Sequence, residues 1–425
     1  MVSPAEELQQ EIDIHLRIVN HEEKGNLINL VGNEEMKFMK RITSIDTVRG
    51  MVMMIMALDH VRDLMHIHSI SQIPTDLATT TPLLFFTRWV TYLCAPIFVF
   101  LAGSTAYLTF KRKNNLSESR SFLLNRGIWL IFIEFTVVNF GLFFDIGFHT
   151  LLFEVIATIG FGFLILSLSL KLSVRQIGII GLVIVFGHNI LTNFPFPPTS
   201  FLRTVLTPLF SPTAIPLFSG HAFVMGYPPI PWLGILLIGF ASGHFFEMEE
   251  KKKERLFLKI GVTALVSFVI LRFVNSYGDP VSWLSQKNSM LTFLSFMNVT
   301  KYPPSLLFCL VTLGVLFILL AFADHFNSHF NRIASVYGKV PLFYFIVHFY
   351  LIHLITLAVL VLQGFQWSQF EFAMGTFGRP KVGASGLELM PIYLIWVGVV
   401  LALYKPCQWY GKYKTEHRKW WLRYV

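Results

Sequence analysis

One stretch gathers most of the residues that could do chemistry. It begins at Thr43-Ser-Ile-Asp-Thr-Val-Arg-Gly50 and ends at His66-Ile-His68. Arg49 and His60 are eleven residues apart. At about 100° per residue they return to within about 20° of one another on one helix face. Their axial separation would be roughly 16 Å, about half the hydrocarbon thickness of a bilayer. Asp46, Met53, Met56 and Asp63 share that face. A charge inside a membrane segment costs about 2.5–3.5 kcal/mol on insertion scales, so these side chains should face a cavity or each other rather than lipid. Either a site or a structural ion pair with a packed histidine would satisfy that rule.

The chemistry such a set could support is acid–base. A buried His beside a carboxylate can be held in one tautomer and act as a general base near neutral pH. Asp59 adjoins His60, but neighbouring side chains diverge on a helix. Asp63, at i+3, is the better-placed orienter. His66 and His68 follow one or two turns later, where a relay or a divided acid/base role is open. His348 and His353 lie in Val340-Pro-Leu-Phe-Tyr-Phe-Ile-Val-His-Phe-Tyr-Leu-Ile-His353 and point about 140° apart. His348, one turn after Tyr344, is the expected cavity residue and a candidate substrate contact. Glu134 and Glu154 sit in apolar runs, either as functional carboxylates or as partners of Arg49, Arg88 or Arg272. His221 and Tyr227-Pro-Pro-Ile-Pro-Trp232 fall where a loop re-enters an apolar segment, so His221 and Trp232 are candidate substrate contacts, with Lys301 and Tyr302.

The elements that position these groups must be membrane helices. The 425-residue chain is 54% hydrophobic and 14% charged, against about one quarter charged in soluble domains. Ten apolar spans are expected, near 44–65, 84–109, 127–144, 150–170, 176–193, 231–247, 257–275, 304–323, 340–362 and 389–405. With both termini cytoplasmic, 25 Lys and Arg fall in inside segments and 5 in outside loops, as the positive-inside rule requires. That asymmetry explains the net charge of +9 without nucleic acid. The fold class is therefore an all-α integral membrane protein. Residues 1–42 form a polar cytoplasmic extension, 43–410 the transmembrane domain and 411–425 a basic cytoplasmic tail. The 3 Cys have no metal or disulfide spacing, and no metal is expected. No HExxH, P-loop or GxSxG occurs. Gly160-Phe-Gly162 suits helix packing rather than a phosphate cradle.

Arg49 and His60 match the R-x10-H pattern of membrane acyltransferases that modify cell-surface sugars. Ser44-Ile-Asp-Thr-Val-Arg-Gly50 with Ala57-Leu-Asp-His-Val-Arg62 resembles, more narrowly, the heparan-α-glucosaminide N-acetyltransferase catalytic-domain family and its bacterial relatives. Further likeness lies in Ala95-Pro-Ile-Phe-Val-Phe-Leu-Ala-Gly103, Tyr227–Trp232, Asn298-Val-Thr-Lys-Tyr-Pro-Pro-Ser305, Gly338–His353 and Trp420-Trp-Leu-Arg-Tyr424, so it extends over nearly all of the chain after residue 40.

The resemblance implies acetyl transfer from cytoplasmic acetyl-CoA to a sugar amine or hydroxyl on the far side of the membrane. Arg49, with Asp46, would hold the donor, and His60 would be base or acyl carrier, supported by Asp59 and Asp63. The lysosomal members resemble Asn at the His60 position and place the acting His in the following loop, where this chain has His66 and His68. They also carry a large N-terminal domain that has no counterpart here. The expected partners are the lipid bilayer, acetyl-CoA as co-substrate and a glycan or amino-sugar acceptor, with a homodimer left open and nucleic acid not expected. A bacterial inner membrane is the default location. The rival reading is a proton-coupled transporter or flippase in which Asp59, His60, Glu134 and Glu154 relay protons.

Overall fold

The structure, a computed structural model, describes residues 43–192, 201–218, 220–381, 385–417 and 419–423. The polar extension read at 1–42 and the Phe194–Pro198 run lie outside the described residues. The chain divides into two compact units, Met1–Ile45 and Asp46–Val425. Of the first, residues 43–45 are described and are helical.

Each of the ten apolar segments contains a helix, and the described chain is mostly helical. Helix α1 covers 43–65. It is followed by α2 (Pro82–Thr91), α3 (Cys94–Lys113), α4 (Leu116–Ile133), a π-turn at Glu134–Val138 and α5 (Asn139–Phe143). Then come α6 (Val155–Ser169), α7 (Val174–Thr192), α8 (Phe201–Phe210), α9 (Pro229–Ser242) and α10 (Glu250–Val274). The last are α11 (Ser289–Met297), α12 (Leu306–Phe322), α13 (Ser328–Gly338), α14 (Pro341–Leu362) and α15 (Leu389–Glu416). Among the described residues, seven helical stretches are long and apolar enough to cross a membrane. Helices α6 and α7 are apolar but shorter, and α1 carries the ionisable cluster. Apolar side chains on the outer faces of α7, α10 and α15 stay exposed, among them Val183, Ile270 and Leu394. In water such a surface would be a liability, whereas against lipid tails it is the expected one. The tail boundary read at 410 falls within α15, which runs on to Glu416.

Two features depart from the sequence reading. The segment at 150–170 opens with a strand, β1 (Thr150–Phe153), before α6 begins. β1 pairs in parallel with β3 (Ala222–Met225), which pairs antiparallel with β2 (Thr213–Pro216). A four-residue apolar run cannot be told from a helix end by periodicity. Helix α13 lies in the connection between the apolar segments at 304–323 and 340–362, where no helix was expected, and it packs tightly on α1. A Cβ at Gly50 would strike the Ala334 carbonyl, and one at Gly338 would strike the Asp46 carbonyl. Only glycine allows that approach. Gly160 does pack on a neighbouring helix: its added Cβ would lie 2.7 Å from the Gly127 carbonyl.

Helix α1 is the hub. Val48, Met53, Ala57 and Val61 are fully buried. The Trp396 indole on α15 donates to the Met54 carbonyl at 2.7 Å, and the Cys94 thiol on α3 donates to the Val52 carbonyl at 3.4 Å. The helix that carries the candidate residues is thus clamped from several sides, as a site that must hold a geometry requires.

Candidate active site

Asp59 is the most heavily bonded carboxylate of α1. It accepts from Arg62 Nη2 at 2.7 Å, from Arg88 Nη1 on both oxygens at 2.7 and 2.6 Å, and from the Thr91 hydroxyl at 2.7 Å. Asp63 accepts from Arg62 Nη2 at 2.5 Å and lies 3.7 Å from Arg88. Two carboxylates and two guanidiniums therefore form one neutral quartet that ties α1 to α2. Neither carboxylate hydrogen-bonds to His60. The expectation that Asp63 orients His60 is corrected by this geometry, because the arginines have taken both acids.

His60 meets another histidine instead. Its ring centroid is 5.1 Å from that of His348 and 4.3 Å from that of Phe349, both edge to face. His348, on α14, is fully buried. Its Nδ1 faces the carbonyls of Phe345 at 2.6 Å and Tyr344 at 3.1 Å. A carbonyl only accepts, so Nδ1 carries the proton and Nε2 keeps a bare lone pair. Nε2 has no hydrogen-bond partner. His353, also fully buried, packs its ring edge to face on Phe144, with centroids 4.0 Å apart, away from this group.

Three cavities adjoin one another along the helical body. The first, about 240 Å³, is lined by Arg49, Arg126, Lys339 and Lys414 and by apolar side chains of α3, α4 and α6. The second, about 80 Å³, is lined by His60, Asp59, Asp63, Arg88, Cys94, Glu154, Tyr227, Lys301 and Tyr302. Phe98, Val155 and Phe345 line both and form an apolar collar between them. The third, about 360 Å³, opens among the loops around Thr75, Asn298 and Thr300. It shares Asp63, Arg88, Lys301 and Tyr302 with the second. Arg49 and His60 do share one face of α1, but they open into different cavities on opposite sides of the collar. Arg49 is held by Asp46 and by the Gly338 carbonyl, at 2.7 Å for the latter. Asp46 lines none of the three cavities.

The remaining candidates separate clearly. Lys301 and Tyr302 join the site through the loop before α12, which Asp279 shapes by accepting from Thr300 N, Thr300 Oγ and Ser305 Oγ at 2.8, 2.9 and 2.6 Å. The Tyr302 hydroxyl donates to that of Tyr227 at 3.2 Å. Trp232 is buried against Tyr227, with ring centroids 4.8 Å apart, and lines none of the cavities. His221 lies apart, its ring beside His149 and its Nε2 3.2 Å from the Gly147 carbonyl. His66 also lies outside the cavities. Its backbone carbonyl accepts from Arg379 at 2.6 Å and its ring meets His68. Of the groups read as possible partners of one another, Glu134 Oε2 instead accepts the Ala157 amide at 2.8 Å, and Arg272 donates to backbone carbonyls of Val281, Ser295, Phe296 and Asn298.

Sequence reasoning missed Thr91, Cys94, Asp279 and Arg379. Only Asp279 had a signal, its place in the Gly278-Asp-Pro280 turn. No curated protein matches the chain. The family model described as "Heparan-alpha-glucosaminide N-acetyltransferase, catalytic" matches residues 41–273, more than half of the chain, and takes in Arg49, His60, Arg88 and Glu154. This integral membrane chain, whose central helix opens on two adjacent cavities, belongs to the heparan-alpha-glucosaminide N-acetyltransferase catalytic family.

Proposed function

We propose that this protein moves acetyl from cytoplasmic acetyl-CoA to a sugar amine or hydroxyl that arrives from the far side of the membrane. The observation that carries the reading is the pair of adjacent cavities that share Phe98, Val155 and Phe345 as a common wall, one basic and one holding His60. CoA is polyanionic, and Arg49, Arg126, Lys339 and Lys414 give its phosphates a cationic wall. The acetyl thioester then passes the collar and meets His60. The acceptor comes through the loop cavity. His60 takes a proton as the acceptor attacks the thioester carbonyl, the C–S bond breaks, and the proton passes to the departing thiolate. The His348 ring lies 5.1 Å from that of His60 with Nε2 unbonded, so a small rotation would let it accept an N–H from His60 and orient that ring.

The transporter reading draws support from the same row of cavities. Its proton relay is weakened because Asp59 is held by two arginines and Glu134 caps α6. The deciding experiment uses the full chain in nanodiscs with radiolabelled acetyl-CoA and a panel of amino sugars. Labelled sugar from wild type that disappears with His60→Ala supports the reading and the base. Loss with His66→Ala alone would move the base to the loop. Failure to bind acetyl-CoA or release CoA would end the acyltransferase reading.

A further inference from the structure

The wall around His60 carries more charge than its ion pairs use. Arg62 and Arg88 balance Asp59 and Asp63. Two charged side chains remain on that wall, Lys301 and Glu154, and neither is in an ion pair among the described residues. The Lys301 ammonium rests over the rings of Tyr92 and Tyr302, at 5.6 and 5.0 Å, on the side shared with the loop cavity. The Glu154 carboxylate makes no hydrogen bond among the described residues, although Glu154 stands at the N-cap of α6. An N-cap side chain would ordinarily bond the exposed amides of the first turn. Here Glu134 does so from the π-turn, through the Ala157 amide. The fold thus spends one glutamate on the cap and leaves the other facing the cavity. Val155, the next residue, belongs to the collar, so Glu154 stands where an acyl group passing the collar would emerge.

We propose that Glu154 docks the primary ammonium of the acceptor and removes its first proton, which makes the site selective for amines over hydroxyls. This rests on the acyltransferase reading above. At neutral pH a sugar amine is largely an ammonium ion and must lose two protons to become an amide. Glu154 takes the first, giving a neutral amine and a carboxylic acid. The nitrogen then attacks the thioester carbonyl, so a C–N bond forms and the C–S bond breaks. His60 takes the second proton from that nitrogen and gives it to the thiolate. The proton on Glu154 leaves through the loop cavity. The net products are amide, CoA thiol and one proton. A hydroxyl acceptor has one proton to lose and needs only His60. The titratable groups that share the cavity with Glu154 are His60, Asp59, Asp63, Arg88, Cys94, Tyr227, Lys301 and Tyr302, and the Glu134 carboxylate acts on it from the π-turn.

The test compares methyl glucosaminide with methyl glucoside as acceptors, for wild type and Glu154→Gln in nanodiscs, with acetyl-CoA binding as the folding control. The wild type should strongly prefer the amine. Glu154→Gln should lose about 10²-fold or more in kcat/KM for the amine at neutral pH while still binding acetyl-CoA. That loss should shrink as pH rises, because the amine then arrives already neutral. A purely structural role would not give such a pH rescue. Equal wild-type rates on the two acceptors would overturn the proposal and leave acyl transfer standing, even if the variant failed to fold. So would a variant that keeps amine transfer within about threefold, or a loss that pH does not rescue. A wild type that releases no CoA with either acceptor would sink the acyltransferase reading and this inference together.

Discussion

Asp59 can act as a catalytic partner of His60 or as the anchor of a buried charge quartet. The two roles predict different outcomes for Asp59→Asn, a change that keeps shape and removes charge. In the wild type, one carboxylate faces Arg62 and Arg88 and also takes the Thr91 hydroxyl. Its side chain is 9% exposed, and those of Arg62 and Arg88 are 1% and 15% exposed. Removing one partner of a buried ion pair costs about 3–5 kcal/mol, because the other charge is left uncompensated. Asn keeps an oxygen for Thr91 but turns an N–H toward Arg88 Nη1, which now bonds both oxygens. The expected loss is about 3 kcal/mol. It should be read from reversible unfolding in mixed dodecyl maltoside–SDS micelles. Adding Arg88→Gln removes the uncompensated charge and leaves Arg62 with Asp63. The double variant should therefore be more stable than the sum of the two singles requires, with a coupling of about 1.5–3 kcal/mol. A loss below about 1 kcal/mol for Asp59→Asn, or strictly additive singles, would refute the quartet as a stabilising unit.

Further outcomes follow from the same geometry. His60→Ala should lower acetyl transfer by about 10²–10⁴-fold while acetyl-CoA binding persists, measured by product label and by direct binding. Arg49→Gln should weaken acetyl-CoA binding about tenfold, as loss of one charge-assisted contact of about 1.4 kcal/mol implies, and equilibrium titration checks this. Val155→Trp should fill the collar, so that acetyl-CoA still binds but transfer stops, which single-turnover assays would separate. Burial pushes the His66 imidazole below its ordinary value, with the His68, Arg62 and Arg379 charges adding to the effect. The unfolded chain then binds the proton more readily than the folded one, so this contribution is complete above about pH 6.5 and falls as pH drops through that value. His66→Gln should flatten that part of the stability profile.

The helical frame was legible because apolar runs of about 20 residues have few other solutions. Each of the ten segments holds a helix for that reason. The small β-sheet was not legible. Thr150-Leu-Leu-Phe153 is too short for its periodicity to distinguish strand from helix, and its partner strand lies some seventy residues away. Helix α13 was hidden for a different reason. Its docking depends on Gly50 and Gly338 meeting backbone to backbone, and a glycine in a sequence does not name its partner.

Which side chains line the candidate site was more legible than the contacts they make. A charge in an apolar segment must be explained, so Arg49, Asp59, His60 and Asp63 stood out at once. What each does depends on which partner reaches it first, and that is a long-range fact. Arg88 is far from Asp59 in sequence, yet it bonds both Asp59 oxygens and takes that carboxylate out of acid–base work. Glu134 and Glu154 looked alike, as lone carboxylates in apolar runs. The π-turn turns the first toward the α6 amides, and that capping leaves the second facing the cavity. His348 was a candidate for contact with substrate, but it sits behind His60 with its proton fixed by a backbone carbonyl. In each case the residue type made the side chain available for chemistry, and the fold decided which of the available groups were already occupied. The groups left without a close partner are those that can respond to a substrate, and around His60 they lie between the collar and the loop cavity.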